Sequence, residues 1–111
     1  MGMKKILLPL IALVVCAAIA VPALAASSKR VSVGPGESFS PRSLTVARGT
    51  TVTFRWTGEE PHNVVVTSGP VRFRTPVKRA GATFSRTFTK AGAYRIVCTL
   101  HDGMRLRLTV R

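Results

Sequence analysis

Acidic residues are scarce in this chain. Four Asp and Glu face 17 Lys and Arg among 111 residues, giving a formal net charge of +13. A surface this cationic seeks anionic partners: an acidic protein, phospholipid head groups, anionic wall polymers or nucleic acid. Nucleic acid is set aside, because the chain carries no basic helix and no aromatic-stacking motif. A convincing amphipathic helical period is also missing, which excludes a helix bundle, and there is no internal repeat or low-complexity tract. Cysteine is nearly absent, with Cys16 and Cys98 the only two.

The N-terminal residues read as a targeting segment. Lys4 and Lys5 supply a positive start, Ile6 to Ala20 is almost uninterrupted apolar sequence, and Pro22 precedes the small-x-small run Ala23-Leu24-Ala25. We expect a signal peptide over 1–25 and one small domain over 26–111, exported to the periplasm, the cell surface or the exterior of a bacterium. The rival is a retained membrane anchor, since the apolar run approaches spanning length. Pro9 and the cleavage site argue against it, and bulky Val15 argues against lipidation at Cys16. Loss of Lys4 and Lys5 lowers the net charge from +13 to +11. Nucleic acid is a poor partner for an exported chain, whereas envelope anions and acidic proteins are not.

Export also sharpens the cysteine count. Cys16 leaves with the signal, so Cys98 has no partner within the finished chain and cannot form an intrachain disulfide. A lone exported cysteine is a buried inert thiol, an intermolecular disulfide, a nucleophile or a metal ligand. Its neighbours bear on the choice.

The mature sequence alternates with the period of strands. Val31 and Val33 precede the turn Gly34-Pro35-Gly36, and Leu44-Thr45-Val46 leads to Arg48-Gly49. Val52, Phe54 and Trp56 fall on one face, as do Tyr94, Ile96 and Cys98, and then Leu106, Leu108 and Val110. Val64-Val65-Val66 suits a strand buried on both sides. Ser68 to Gly81 is the least regular part, a basic connection with room for one helical turn, and its positive charge makes it a candidate docking surface. This pattern predicts an all-β sandwich or barrel. Phe54, Trp56, Phe84 and Phe88 supply its core, each large side chain contributing roughly 1.5–3 kcal/mol.

The chemistry concentrates in Cys98-Thr99-Leu100-His101-Asp102-Gly103-Met104, with His62 upstream. Strand alternation aims Cys98 inward, Gly103 lets the loop tighten, and His62 follows Pro61 at the start of another strand. One thiolate, two imidazoles and one thioether form the donor set of a mononuclear copper site, with His62, Cys98 and His101 strong and Met104 weak and axial. Zinc has little use for the thioether. A cysteine nucleophile paired with His101 lacks an orienting third group and an oxyanion motif, so no enzyme activity is expected.

From Phe39 to Val110 the chain resembles the small blue copper proteins, the plastocyanin/amicyanin branch of the cupredoxins. The resemblance is carried by Phe39-x-Pro41, Leu44-Thr45-Val46, Gly49-Thr50, the strand ending at Trp56, and Pro61-His62-Asn63-Val64. It continues through Ser68-Gly69-Pro70, Phe84 to Phe88, and Gly92-x-Tyr94-x3-Cys98, and the Cys-x2-His-x2-Met spacing is similar to the compact amicyanin loop. It implies a single-domain Greek-key β-sandwich of about seven to eight strands holding one type 1 copper ion, Cu(I)/Cu(II). It also implies that Asn63 braces the ligand loop near Thr99, and that His101 is the solvent-edge ligand through which electrons pass. Leu100 stands where many relatives have proline, and Leu106 where glycine is common.

The expected function is an exported, monomeric one-electron carrier working between redox proteins with acidic docking surfaces. The rivals are copper storage or delivery, and a non-redox module bound to an anionic envelope surface. The few acids are also unevenly placed: Glu59 and Glu60 precede His62, and Asp102 follows His101. Carboxylates so placed are expected to stabilise Cu(II) and lower the potential.

Overall fold

The computed structural model describes residues 27–111. The expected signal peptide over 1–25 lies outside the described residues. Eight strands form: β1 (Ser28–Val33), β2 (Phe39–Ser40), β3 (Ser43–Val46), β4 (Thr50–Trp56), β5 (Val65–Ser68), β6 (Thr83–Phe88), β7 (Gly92–Val97) and β8 (Arg105–Val110). They make two four-stranded sheets, in the orders β2-β1-β4-β6 and β3-β8-β7-β5. β1 runs parallel to β4 and β3 parallel to β8, while the other neighbours are antiparallel. Among the described residues no helix forms, so this is the expected all-β sandwich.

Alternation decides which side chains meet. In β4, Val52, Phe54 and Trp56 are buried, and Phe54 stands opposite Val31 on β1 and Phe84 on β6. From the second sheet Tyr94 faces Leu108 and Ile96 faces Leu106 across β7 and β8. These inner faces close into one apolar cluster, as two packed sheets require. The outward faces are polar, and there Thr51 meets Thr87 and Thr53 meets Ser85 through hydroxyl pairs at 2.8 Å.

Strand β6 departs from the simple pattern. Its inward positions are Phe84, Arg86 and Phe88, and only Phe88 is fully buried. Phe84 packs against the core as expected but is only half-buried, because β6 is an edge strand. The Arg86 guanidinium lies 4.5 Å from the Phe73 ring centre, covering the apolar edge. An inward-pointing charge on an edge strand discourages pairing with another sheet.

The connection from Ser68 to Gly81 contains no helical turn. It runs back along the segment it follows, with antiparallel bridges between Val65 and Arg74 and between His62 and Lys78. Thr75, the buried residue of this stretch, receives the Val64 N–H at its hydroxyl (3.0 Å), while its own N–H donates to the Val64 carbonyl (2.9 Å). The connection is the expected basic link between the two sheets and is mostly exposed, and Thr75 and Lys78 within it also brace the segment that carries His62.

Candidate metal centre

One end of the sandwich gathers the chemistry. β7 delivers Cys98 immediately past its last residue, with the side chain buried. The loop then returns on itself: the Cys98 N–H donates to the Met104 carbonyl (3.1 Å) and the Met104 N–H to the His101 carbonyl (3.3 Å). Gly103 takes a φ of 78°, a left-handed turn position that glycine adopts without strain. Met104 is 1% exposed and opens the path into β8.

His62 arrives from the other side and is fully buried. Its backbone is held three ways: its N–H donates to the Lys78 carbonyl (3.0 Å), and its carbonyl accepts both the Lys78 N–H (2.8 Å) and Trp56 Nε1–H (2.9 Å). Lys78 in turn places its ammonium 5.7 Å from the Trp56 ring centre. At Gly34, whose φ is 93°, a Cβ would collide with the Thr57 carbonyl and stand 3.4 Å from His62 Nε2. That close approach needs glycine.

His62 Nδ1 lies 3.8 Å from Cys98 Sγ. Donor atoms of His62, Cys98 and His101 all fall within 4.8 Å of one another, positioned to bind one metal ion. With metal–sulfur and metal–nitrogen bonds of about 2.3 and about 2.0 Å, two such donors on one trigonal or tetrahedral ion stand about 3.5–3.7 Å apart, within about 0.1 Å of the spacing here. The His62–Cys98 spacing fits. One thiolate and two imidazoles also match the donor chemistry of copper.

His101 differs from its partner in setting. It is partly exposed, its ring packs edge-on to that of His62 at 4.9 Å, and both its nitrogens face oxygens. Nε2 lies 3.1 Å from the Pro61 carbonyl and Nδ1 3.3 Å from Glu37 Oε2. Burial depresses the His62 pKa below its usual 6.5, and the facing His101 imidazole adds to this, while Glu60, Glu37 and the Gly36 backbone oppose it. A neutral imidazole is the form a metal binds.

Asn63 is buried beside His62 and exchanges two hydrogen bonds with Thr99. Asn63 Nδ2–H donates to the Thr99 hydroxyl and the Thr99 N–H donates to Asn63 Oδ1, both at 2.8 Å. Four contributors escaped the sequence reading: Glu37, Thr75, Trp56 as a donor to His62, and Lys78. Trp56 could have been flagged, since a core indole N–H requires an acceptor. The other three act across distances that no local pattern records.

A β-sandwich with a buried cysteine and two histidines at one end defines the cupredoxin class. A profile for copper binding proteins of the plastocyanin/azurin family matches residues 27–111. Plastocyanin A/B of Petroselinum crispum is 32% identical over 81 residues, covering 65% of this chain and 84% of that protein. Halocyanin of Natronomonas pharaonis is 41% identical over 69 residues, which span 60% of this chain and 42% of that one. Among solved structures, a reduced amicyanin variant superposes with a TM-score of 0.66 at 30% identity, covering 74% of this chain and 80% of the other. A Cu-containing nitrite reductase from Thermus scotoductus SA-01 gives a TM-score of 0.68 at 33% identity, covering 84% of this chain but 25% of that larger one.

The chain belongs to the plastocyanin/azurin family of copper-binding proteins. It is a small blue copper protein of the electron-carrier class, and copper is its cofactor.

Proposed function

We propose that this protein is an exported one-electron carrier whose copper is held by His62, Cys98 and His101, with Met104 as the weak axial ligand. The convergence of His62, Cys98 and His101 donor atoms within 4.8 Å carries the proposal. Bound copper supplies a one-electron Cu(I)/Cu(II) couple. The protein's part is to hold the donors still: two hydrogen-bonded loops fix Cys98 and His62, and burial keeps water from both. Met104, buried at the end of the ligand loop, would take the remaining axial position in this reading and leave none open to a substrate, which suits a carrier better than a catalyst.

His101 is the one histidine of the pair that reaches the surface, so it is the point of electron exchange. Leu100, 42% exposed, precedes it and offers a partner an apolar contact at the rim. The surplus of positive charge elsewhere steers an acidic redox partner or an anionic envelope surface toward the molecule. Residues 1–25 are the export signal in this reading, and 26–111 the working domain.

The copper-loaded protein tests the reading. We expect an intense visible thiolate-to-copper band, its loss in Cys98→Ser, and reversible voltammetry. Tight Cu(I) binding without fast electron exchange would establish delivery instead. A band that persists in Cys98→Ser would remove that residue from the ligand set. Association with an acidic partner should slow as salt rises, because the screening length falls to about 8 Å at physiological ionic strength.

A further inference from the structure

The outer face of the β3-β8-β7 sheet carries an arginine cluster that the copper site does not use. Arg95 on β7 stands directly opposite Arg107 on β8. Side chains so paired have Cβ atoms about 4.5–5.5 Å apart, and like charges in that position repel. Arg105 lies two residues from Arg107 on the same face, and the Arg107 N–H donates to the Arg42 carbonyl (2.9 Å), which brings Arg42 alongside. Together the four arginines line a concavity of about 340 Å³, bordered by Ser43 and by Gly103 of the ligand loop.

Nothing among the described residues neutralises them. Among the described residues no arginine has a carboxylate within 4.0 Å, and the one ion pair is that of His101 with Glu37. Glu59, Glu60 and Asp102 are within three residues of a histidine of the metal centre, leaving the arginine face without an acid on its strands. A directly opposed arginine pair is an electrostatic cost that a bound anion would reverse.

The type of anion follows from the geometry. Guanidinium groups are planar forks that pair two N–H groups with two oxygens, and they are the preferred partners of phosphate. A single carboxylate has one charge and one plane, so it satisfies one fork. A tetrahedral dianion offers oxygens to forks converging from neighbouring strands and balances both charges. We propose that Arg42, Arg95, Arg105 and Arg107 form a binding site for a phosphate group with two or more negative charges, separate from the copper centre.

Calorimetric titration of the protein with pyrophosphate at low ionic strength tests this, alongside co-sedimentation with phosphatidic acid vesicles, whose phosphomonoester can carry two charges, and with neutral phosphatidylcholine vesicles. The expected result is saturable binding of one pyrophosphate, weakened about tenfold or more in Arg95→Gln/Arg107→Gln. The control Arg30→Gln/Arg55→Gln removes the same charge from the outer face of the other sheet and should weaken binding less than about threefold, the share owed to screened long-range charge. Binding to phosphatidic acid vesicles alone, with the same ranking of variants, supports the site and assigns its phosphate to a lipid phosphomonoester head group. Equal weakening by the two double variants, or no binding to either probe, overturns the proposal. Relief of repulsion should leave the thermal midpoint of Arg95→Gln/Arg107→Gln at or above that of the parent. If that variant does not fold, Arg105→Gln alone decides by the same comparison.

Discussion

Asn63 and Thr99, 36 positions apart, are joined by two reciprocal hydrogen bonds of 2.8 Å. The pair ties the residue after His62 to the residue after Cys98, so the two halves of the metal centre cannot drift independently. Removing the amide in Asn63→Ala leaves the Thr99 N–H without its acceptor. An unsatisfied polar group of this kind costs about 1–3 kcal/mol, less where water can enter. We expect urea unfolding of the metal-free protein to show a loss in that range, and Cu(I) competition to show affinity lowered about tenfold or more. Unchanged affinity together with lost stability would show that the pair supports the fold and not the site.

The extent to which a sequence announces such a site depends on the range of the interaction. The inward faces of β4, β7 and β8 are legible because alternation is local: Val52, Phe54 and Trp56 are buried where period two places them. The clustering of His62, Cys98 and His101 is legible because two of them share a short loop and the third sits in a matching motif. Glu37 is not, since it reaches His101 from the turn between β1 and β2 and has no motif of its own. The connection after Ser68 is legible as a basic loop between the sheets, but its bracing role is not, for the same reason. Its prolines and basic residues look like a free loop, yet Thr75 and Lys78 are committed to Val64 and His62 through hydrogen bonds that depend on the tertiary fold.

Tyr94 allows packing and hydrogen bonding to be separated. Its ring is buried against Phe88 (centroids 5.2 Å apart) and its hydroxyl donates to the Lys90 carbonyl at 2.8 Å. This closes the turn into β7 much as a tyrosine corner does. Tyr94→Phe keeps the apolar area and loses one hydrogen bond, a net cost of about 1 kcal/mol. Tyr94→Ala also leaves a cavity, and by analogy with other aromatic truncations should cost about 3–5 kcal/mol. Chemical unfolding measures both. The visible spectrum of the copper form should be unaltered in Tyr94→Phe, whose change lies at the far end of the strand from Cys98.

Acid should destabilise the metal-free protein partly through His62. Burial keeps this imidazole neutral in the fold and lowers its pKa from 6.5, with a further contribution from His101. The unfolded chain protonates near the ordinary value, so below it the unfolded state binds more protons than the native one. The stability associated with neutral His62 is therefore complete above 6.5 and is lost as pH falls toward the lower native pKa. Urea midpoints at about pH 7.5 and about pH 5.5 should differ more in the parent than in His62→Gln. Equal differences would show that other groups carry the acid sensitivity.

Glu37 provides a sharper test of how charge sets the potential than the acids adjacent in sequence. Its carboxylate is 3.3 Å from His101 Nδ1, the one carboxylate among the described residues within 4.0 Å of a histidine nitrogen. A fixed negative charge favours the more positive of two oxidation states, and the effect weakens with distance. Glu37→Gln should therefore raise the midpoint potential, and Asp102→Asn should raise it less. Because Glu37 is 59% exposed, water and salt reduce its influence. The shift should shrink further as ionic strength increases. Protein-film voltammetry at two salt concentrations measures both quantities. A larger shift from Asp102→Asn would make the loop carboxylate the dominant charge, and no shift from either would assign the potential to the sulfur and imidazole ligands alone.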